Sequence, residues 1–205
     1  PARPSIYGHG LLDSRVAVTY DGVPDESIDY NRMYCAVDFF GFATGDIGNV
    51  IGSLVDLSNF AVVPDASQQG MVNFMFLARL LRDPHGFAAN PEFQDPRTRR
   101  PLFDRTEVTY DGNSQGGILG GITTAVSTEW TRAVLGVTGM NFNTLVERSA
   151  AFAPFETIAT GGYPHTPDRT LLLSVIQMQW ARPAPHAHPA PPPARPPPAP
   201  PAHPH

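Results

Sequence analysis

The chain contains 205 residues, 41% of them hydrophobic, and its formal net charge is −5. This length and this apolar content are typical of one domain with a real core. The acidic balance, without a basic patch, argues against nucleic acid as a partner. A single cysteine excludes an intrachain disulfide and a cysteine-ligated zinc site. All 14 basic residues are arginine, so the sequence lacks the lysine of a Walker A phosphate loop.

Membrane and targeting signals are also missing from the sequence as it stands. No apolar run reaches the ~18 residues that a membrane helix needs, and no signal-peptide pattern precedes the first predicted strand. Because the chain begins with Pro1 rather than methionine, its compartment stays undetermined. We expect neither a cofactor nor a metal in the folded part of the chain.

The first predicted strand, Ser5–Tyr7, runs into the loop G-H-G-L-L at residues 8–12. Glycine lets a backbone come close to a ligand, and the N–H groups of such a loop can bind a carbonyl oxygen. The alternative is a dinucleotide-binding fingerprint with glycines at positions 8 and 10. That fingerprint requires a third glycine where Asp13 places a carboxylate, so we reject it.

The next segment predicts a strand and two helices. Residues 15–32 are polar and turn-rich, and the continuous apolar run Met33–Val37 predicts a strand covered on both faces. Apolar residues then recur at helical spacing in 46–57 and in 65–81, with Asp65 as the expected N-cap. The loop 83–105 contains one histidine, His85, for which a solvated or capping role is expected.

The most informative stretch is the one from Thr106 to Gly121. A short β-prone run leads into Gly112-Asn113-Ser114-Gln115-Gly116, and a glycine-rich helix follows. In a G-x-S-x-G turn the serine lies at the apex between strand and helix, and the glycines avoid collisions with both. A glycine-rich turn with an exposed serine would give the same pattern, but the strand–turn–helix context favours a nucleophile. Further on, we predict a helix over 115–127, a strand over 132–137, a short helix at 145–151 and a last helix, Asp168–Trp180.

Together, the loop 8–12 and the turn 112–116 resemble the α/β-hydrolase superfamily of esterases, lipases and peptidase-like serine hydrolases. The resemblance implies an α/β fold over residues 1–182, in which a mostly parallel central sheet has helices on both faces. A helical or loop insertion is expected at about 141–168. The four predicted strands should lie side by side in the order second, first, third, fourth, which brings the loop 8–12 next to the serine turn.

The resemblance also implies a site and a reaction. Ser114 would be the nucleophile, and the oxyanion hole would consist of the backbone N–H of Gln115 with one from His9, Gly10 or Leu11. The expected reaction is the cleavage of a carboxylic ester or a related acyl bond in a small molecule.

The catalytic acid and base depart from the superfamily pattern, whose chain order is serine, acid, histidine. After Ser114 and ahead of the C-terminal tail, the only histidine is His165. His165, paired with an acid that precedes it, is the remaining candidate for the base, although its position in a proline-containing turn ahead of Asp168 disfavours this role. The candidate acids after the serine are Glu129, Glu147, Glu156 and Asp168.

The superfamily's acid and histidine follow two further strands, and no strand is predicted after Trp180. We therefore expect an incomplete member with impaired activity. The alternative is a catalytically inactive fragment that binds a small ligand or a partner. A sheet without its outer strands would also have unpaired edges through which the chain could self-associate.

The last segment, residues 183–205, contains 12 prolines, six alanines, four histidines and one arginine. This composition cannot build a core and predicts a disordered, extended tail. Three interpretations stay open. The tail is a metal- or partner-binding segment carried by its histidines, a spacer, or a frame-shifted read of a GC-rich gene.

Overall fold

A computed structural model describes residues 1–20 and 22–181 of the chain. The predicted tail therefore lies outside the described residues. The strands are β1 Arg3–Gly8, β2 Arg32–Cys35, β3 Thr109–Asn113 and β4 Ala133–Gly136. The α-helices are α1 Val23–Asp29, α2 Ile47–Val55, α3 Val62–Arg82, α4 Gln115–Val126, α5 Phe142–Val146, α6 Ala153–Gly162 and α7 Thr166–Trp180.

The four strands form one all-parallel sheet in the order β2-β1-β3-β4. The α/β class and the strand order are therefore as predicted. In the register of the two central strands, Gly8 at the end of β1 lies beside Gly112 of β3. The loop after β1 and the serine turn after β3 consequently leave the same edge of the sheet next to each other.

Helices pack on both faces of this sheet, because successive side chains of a strand point to opposite faces. Ile6 of β1 is fully buried in the main core, to which α3 and α4 contribute Phe74 and Leu119. Tyr7, the next residue, packs instead with Val23 of α1 in a smaller cluster. The main core thus lies on the α3 and α4 side of the sheet.

The face of the sheet under α1 is covered only in part. A hollow of about 540 Å³ exposes Arg32, Thr109 and other polar groups there. Several of these groups bond to each other: Arg32 Nη1 donates to Thr109 Oγ1 at 2.9 Å, and the Tyr34 hydroxyl donates to Glu26 Oε2 at 2.7 Å. This hollow is larger than the cavity at Ser114 described below, but its polar groups are largely engaged within the protein.

Three expectations were wrong in detail. The turn-rich segment 15–32 contains α1, whose first turn has a proline and two acidic residues, all favourable at a helix N-terminus. Helix α3 begins at Val62 rather than after Asp65, because Pro64 is tolerated within a first turn. Strand β2 is half-buried rather than covered on both faces, because it lies at one edge of the sheet.

The predicted insertion at 141–168 is more helical than expected. It contains α5 and α6, and the latter was not predicted. Within the described part of the chain, no helix is long and apolar enough to cross a membrane. Strands β2 and β4 form the two edges of the sheet, and self-association through these edges stays a prediction.

Candidate active site

Ser114 lies between β3 and α4 and is the N-cap of that helix. Its backbone angles are φ 56° and ψ −118°, a combination that is rare for a residue with a side chain and costs on the order of 1–3 kcal/mol. The turn is fixed by two hydrogen bonds of 3.0 Å, from Ser114 N–H to Gly136 O and from Ile118 N–H to Ser114 O. The strained strand-to-helix turn predicted for this serine is therefore present.

The two glycines of the motif are required by close backbone contacts. A Cβ on Gly116 would lie 2.0 Å from Gly8 O, and one on Gly112 would lie 2.5 Å from Gly116 O. The hydroxyl of Tyr110 fills the remaining space and donates to Gly116 O at 2.6 Å. Helix α4 thus rests directly on the ends of β1 and β3.

Further glycines of α4 continue this close packing. A Cβ on Gly117 would lie 2.6 Å from Gly136 O, and one on Gly120 would lie 2.2 Å from the ring of Tyr110. That ring stacks on Trp130 with a centroid distance of 5.7 Å. The glycines of α4 therefore allow this helix to pack closely on the sheet.

Two of the four residues predicted for the oxyanion hole, Leu11 and Gln115, line the same cavity as Ser114. Gln115 is the first residue of α4, where backbone N–H groups have no partner within the helix. Leu12 N–H donates to Phe42 O at 3.0 Å, whereas Leu11 N–H has no acceptor within residues 1–20 and 22–181. Both residues therefore line the cavity with Ser114, and neither backbone N–H has a backbone acceptor among the described residues.

The side chain of His9 is engaged within the protein. Its side chain is fully buried, and Phe39 N–H donates to its Nε2 at 2.8 Å. Nδ1 lies 2.8 Å from Gly10 O and must donate to it, which fixes a neutral ring protonated at Nδ1. Burial lowers the pKa of His9. The ring joins the loop after β1 to the loop after β2, and neither His9 nor Gly10 lines the cavity.

The cavity at Ser114 has a volume of about 130 Å³, well above the ~10–15 Å³ that one water molecule requires. Leu54 of α2, Val63 of α3 and Ile176 of α7 form part of its apolar wall. The insertion 141–168 contributes three aromatic rings, those of Phe142, Phe152 and Phe155.

No histidine, carboxylate or arginine lines this cavity among the residues that the structure covers. His165 is exposed and precedes α7 as its N-cap. His85 is also exposed, and its backbone N–H donates to the Asp83 side chain at 2.8 Å. The structure does not bring either histidine to the cavity of Ser114.

The candidate acids are likewise placed elsewhere. Glu129 is nearly buried and accepts hydrogen bonds from Arg79, with Nε at 2.8 Å from Oε1, while Arg82 Nη1 lies 3.5 Å from Oε2. Glu147 lies 3.5 Å from Arg169 Nε. The remaining two, on α6 and α7, are exposed: Glu156 and Asp168.

Neither a reactive thiol nor a metal site is supported by the described part of the chain. Burial raises the pKa of the Cys35 thiol to about 11, so little thiolate exists near neutral pH. Residues 1–20 and 22–181 contain no group of three or more histidine, cysteine, aspartate or glutamate side chains that could hold a metal ion.

Sequence reasoning did not identify α7 as part of the site. Leu173 and Ile176 of this helix line the cavity. Trp180 at its end packs against Phe142, with 4.1 Å between the ring centroids and the two rings tilted by 31°. The apolar spacing of α7 predicted a packed helix, but it could not indicate the surface that the helix contacts. Leu171 on its other side is 66% exposed.

Comparisons of this chain with known protein families, with curated proteins and with solved structures find no significant match. The function must therefore be argued from the site itself.

Proposed function

We propose that this chain is a serine hydrolase of the α/β-hydrolase type, in which Ser114 attacks a carboxylic ester or a related acyl bond. The observation that carries the proposal is the strained backbone of Ser114, with φ 56° and ψ −118° at the start of α4. Strain of this kind persists only where the surrounding structure enforces it, and it is common at catalytic residues. Here Gly8, Gly112 and Gly116 enforce it by close packing.

The proposed chemistry uses the groups at the cavity. Ser114 Oγ would form a bond to the carbonyl carbon, while the electron pair of the C=O bond moves onto oxygen. The backbone N–H groups of Leu11 and Gln115 would stabilise that oxyanion. Its collapse would expel the alcohol, which takes up the serine proton, and water would then hydrolyse the acyl-enzyme.

The activity is expected to be slow. A serine without a base is a poor nucleophile near neutral pH, and loss of triad members costs several orders of magnitude in rate. Because no base lines the cavity among the described residues, the proton of Ser114 would reach the leaving alcohol through solvent rather than through a side chain. Oxyanion stabilisation and binding would account for the remaining rate.

Labelling with a fluorophosphonate probe tests this proposal. We expect Ser114 Oγ to displace fluoride from phosphorus, and peptide mass spectrometry should place the adduct on Ser114. Ser114→Ala should abolish labelling and any ester hydrolysis. Ser149→Ala is the matched control, because Ser149 lines the same cavity with an ordinary extended backbone. This variant should be labelled like the unmodified chain.

A second candidate function is ligand binding without turnover. It is favoured by the lining of the cavity, which is apolar and has no acid or base within the described residues. If the probe does not label Ser114, and Ser114→Ala changes nothing in ester hydrolysis, the hydrolase proposal is wrong. Binding of a small apolar ligand to the unmodified chain and to the Ser114→Ala variant would then support the second function.

A further inference from the structure

The cavity at Ser114 is closed on one side and open on another. Val63 and Ile176 line it with only 2% and 4% of their surface exposed. Val137 lines it as well, but this residue is 83% exposed. Val137 follows Gly136, whose carbonyl oxygen accepts from Ser114 N–H at 3.0 Å. The cavity therefore opens to solvent close to the serine and ends within the core.

The closed end suits the acyl half of an ester better than the alcohol half. In the proposed reaction, on which this inference rests, the acyl group stays bonded to Ser114 Oγ until water hydrolyses it. During that time the alcohol must leave and water must enter, so both need access to solvent. The acyl group therefore belongs in the closed end, and the alcohol belongs on the side of Val137.

The volume of the cavity limits the size of the acyl group. A protein cavity of about 150 Å³ that is lined by Leu, Ile and Phe accommodates one benzene ring, which has six carbon atoms. The cavity at Ser114 measures about 130 Å³, and Leu54, Phe60 and Ile118 give it walls of the same kind. A longer chain would have to displace buried side chains, which a close-packed interior resists.

We propose that this cavity is an acyl-binding pocket with a size limit of about six carbon atoms. The substrates would be esters of short, uncharged, apolar acids, with hexanoyl as the longest linear acyl group that fits. The alcohol would lie at the opening beside Val137, where the walls do not restrict its size.

The absence of charge on the acyl group follows from the wall of the cavity. A charged group buried without a partner is strongly disfavoured. No charged side chain lines the cavity in the described part of the chain. A carboxylate or an ammonium group within the closed end would therefore have no partner there.

A series of linear methyl ketones tests the size limit by titration calorimetry. Each ketone carries the acyl group on a methyl group, so it can occupy the pocket but has no alcohol to expel. From butanone to 2-heptanone the acyl group lengthens from propionyl to hexanoyl, and we expect the affinity to rise about threefold to fourfold per methylene. From 2-heptanone to 2-decanone we expect a rise of less than about 1.5-fold per methylene, because the pocket is then full.

Val50→Phe should shorten this limit. Val50 lines the cavity from α2, and a phenyl ring there would occupy part of the space. The affinity for 2-heptanone should fall by about tenfold or more, which corresponds to the lost burial of about two methylenes. Val55→Phe is the matched control, because Val55 on the same helix is 59% exposed and does not line the cavity. Leu173→Trp on α7 is a second filling variant if Val50→Phe does not fold.

Two isomeric esters test which half of the substrate occupies the pocket. Ethyl hexanoate carries the long chain on its acyl side, and hexyl acetate carries it on its alcohol side. We expect the kcat/KM of the unmodified chain to be about tenfold or more higher for ethyl hexanoate. Ser114→Ala provides the background rate for both esters. A preference for hexyl acetate would overturn the proposal.

The ketone series can overturn the proposal in other ways. An affinity that keeps rising to 2-decanone, the absence of ketone binding, or equal effects of Val50→Phe and Val55→Phe would each do so. The ketones bind without turnover, so the two proposals fail separately. Labelling of Ser114 without a limit in the ketone series refutes only the size-limited pocket. A limit in that series, with neither labelling nor ester hydrolysis, refutes only the hydrolase.

Discussion

Replacing Gly116 by alanine is expected to lower the free energy of unfolding by more than ~3 kcal/mol, and at the extreme to prevent folding. The added Cβ would lie 2.0 Å from Gly8 O and 2.9 Å from His9 O, all within the backbone at the end of β1. A side chain can rotate away from such a contact, but a strand in the middle of a sheet cannot move without losing its pairing. The whole serine turn should therefore be disrupted.

Gly52→Ala is the matched control for this substitution. Gly52 is exposed within α2, and a Cβ there meets no atom within 4 Å. Alanine favours a helix over glycine by roughly 0.5–1 kcal/mol, so this variant should be slightly more stable than the unmodified chain. Urea unfolding followed by circular dichroism measures both effects. Normal stability of Gly116→Ala would mean that α4 does not rest on β1.

The serine turn could be predicted from the sequence because its causes are local. A strand, a sharp turn and a helix follow one another directly over residues 109–126. This arrangement leaves no room for a Cβ at Gly112 or Gly116, so glycine is required at both positions. The order of the strands was predicted from the resemblance to the α/β-hydrolase superfamily, because each of the four strands could be recognised in the sequence and matched to a strand of that fold. These parts of the fold agree with the structure.

The walls of the cavity could not be predicted, because they depend on contacts between distant segments. The sequence indicated that α7 is apolar, but only the fold places Ile176 beside Ser114. Glu129 is a further example. Its partner Arg79 is 50 residues away in sequence. The sequence pattern therefore could not predict this ion pair, and Glu129 remained a candidate acid.

The environment of His9 also had no signal in the sequence. A histidine beside a glycine loop is compatible with a ligand contact, and only the packing shows that both ring nitrogens are engaged by backbone groups. The ring supplies a hydrogen-bond partner to two backbone groups, Gly10 O in the loop after β1 and Phe39 N–H in the loop after β2. The His9 ring therefore connects the loop after β1 to the loop after β2.

His9→Leu is expected to lower the free energy of unfolding by about 2–4 kcal/mol. The substitution leaves Phe39 N–H and Gly10 O without their partner, and each unpaired buried group costs roughly 1–3 kcal/mol. His9→Gln is the matched variant, because its amide can still accept from one group and donate to the other. It should be more stable than His9→Leu. Equal stability of the two variants would contradict this role for the ring.

The same ring should make stability depend on pH. Burial lowers the pKa of His9 from its ordinary value of 6.5. This outweighs the opposing effects of the hydrogen bond to Gly10 O and of the carboxylates of Asp13, Asp38 and Asp46. Below about pH 6.5 the unfolded chain binds a proton at this histidine that the folded chain does not, so the free energy of unfolding falls as pH falls. Above that pH the contribution of His9 is fully present.

The two variants separate this effect from every other titration in the chain. His9→Gln does not titrate at this position, so the difference in the free energy of unfolding between it and the unmodified chain should shrink as pH decreases below 6.5 and stay constant above it. A difference that is constant over the whole range would show that the ring is protonated equally in both states.

Because His9 holds the loop that carries Leu11, fluorophosphonate labelling of Ser114 should also slow in His9→Leu under conditions where that variant is folded.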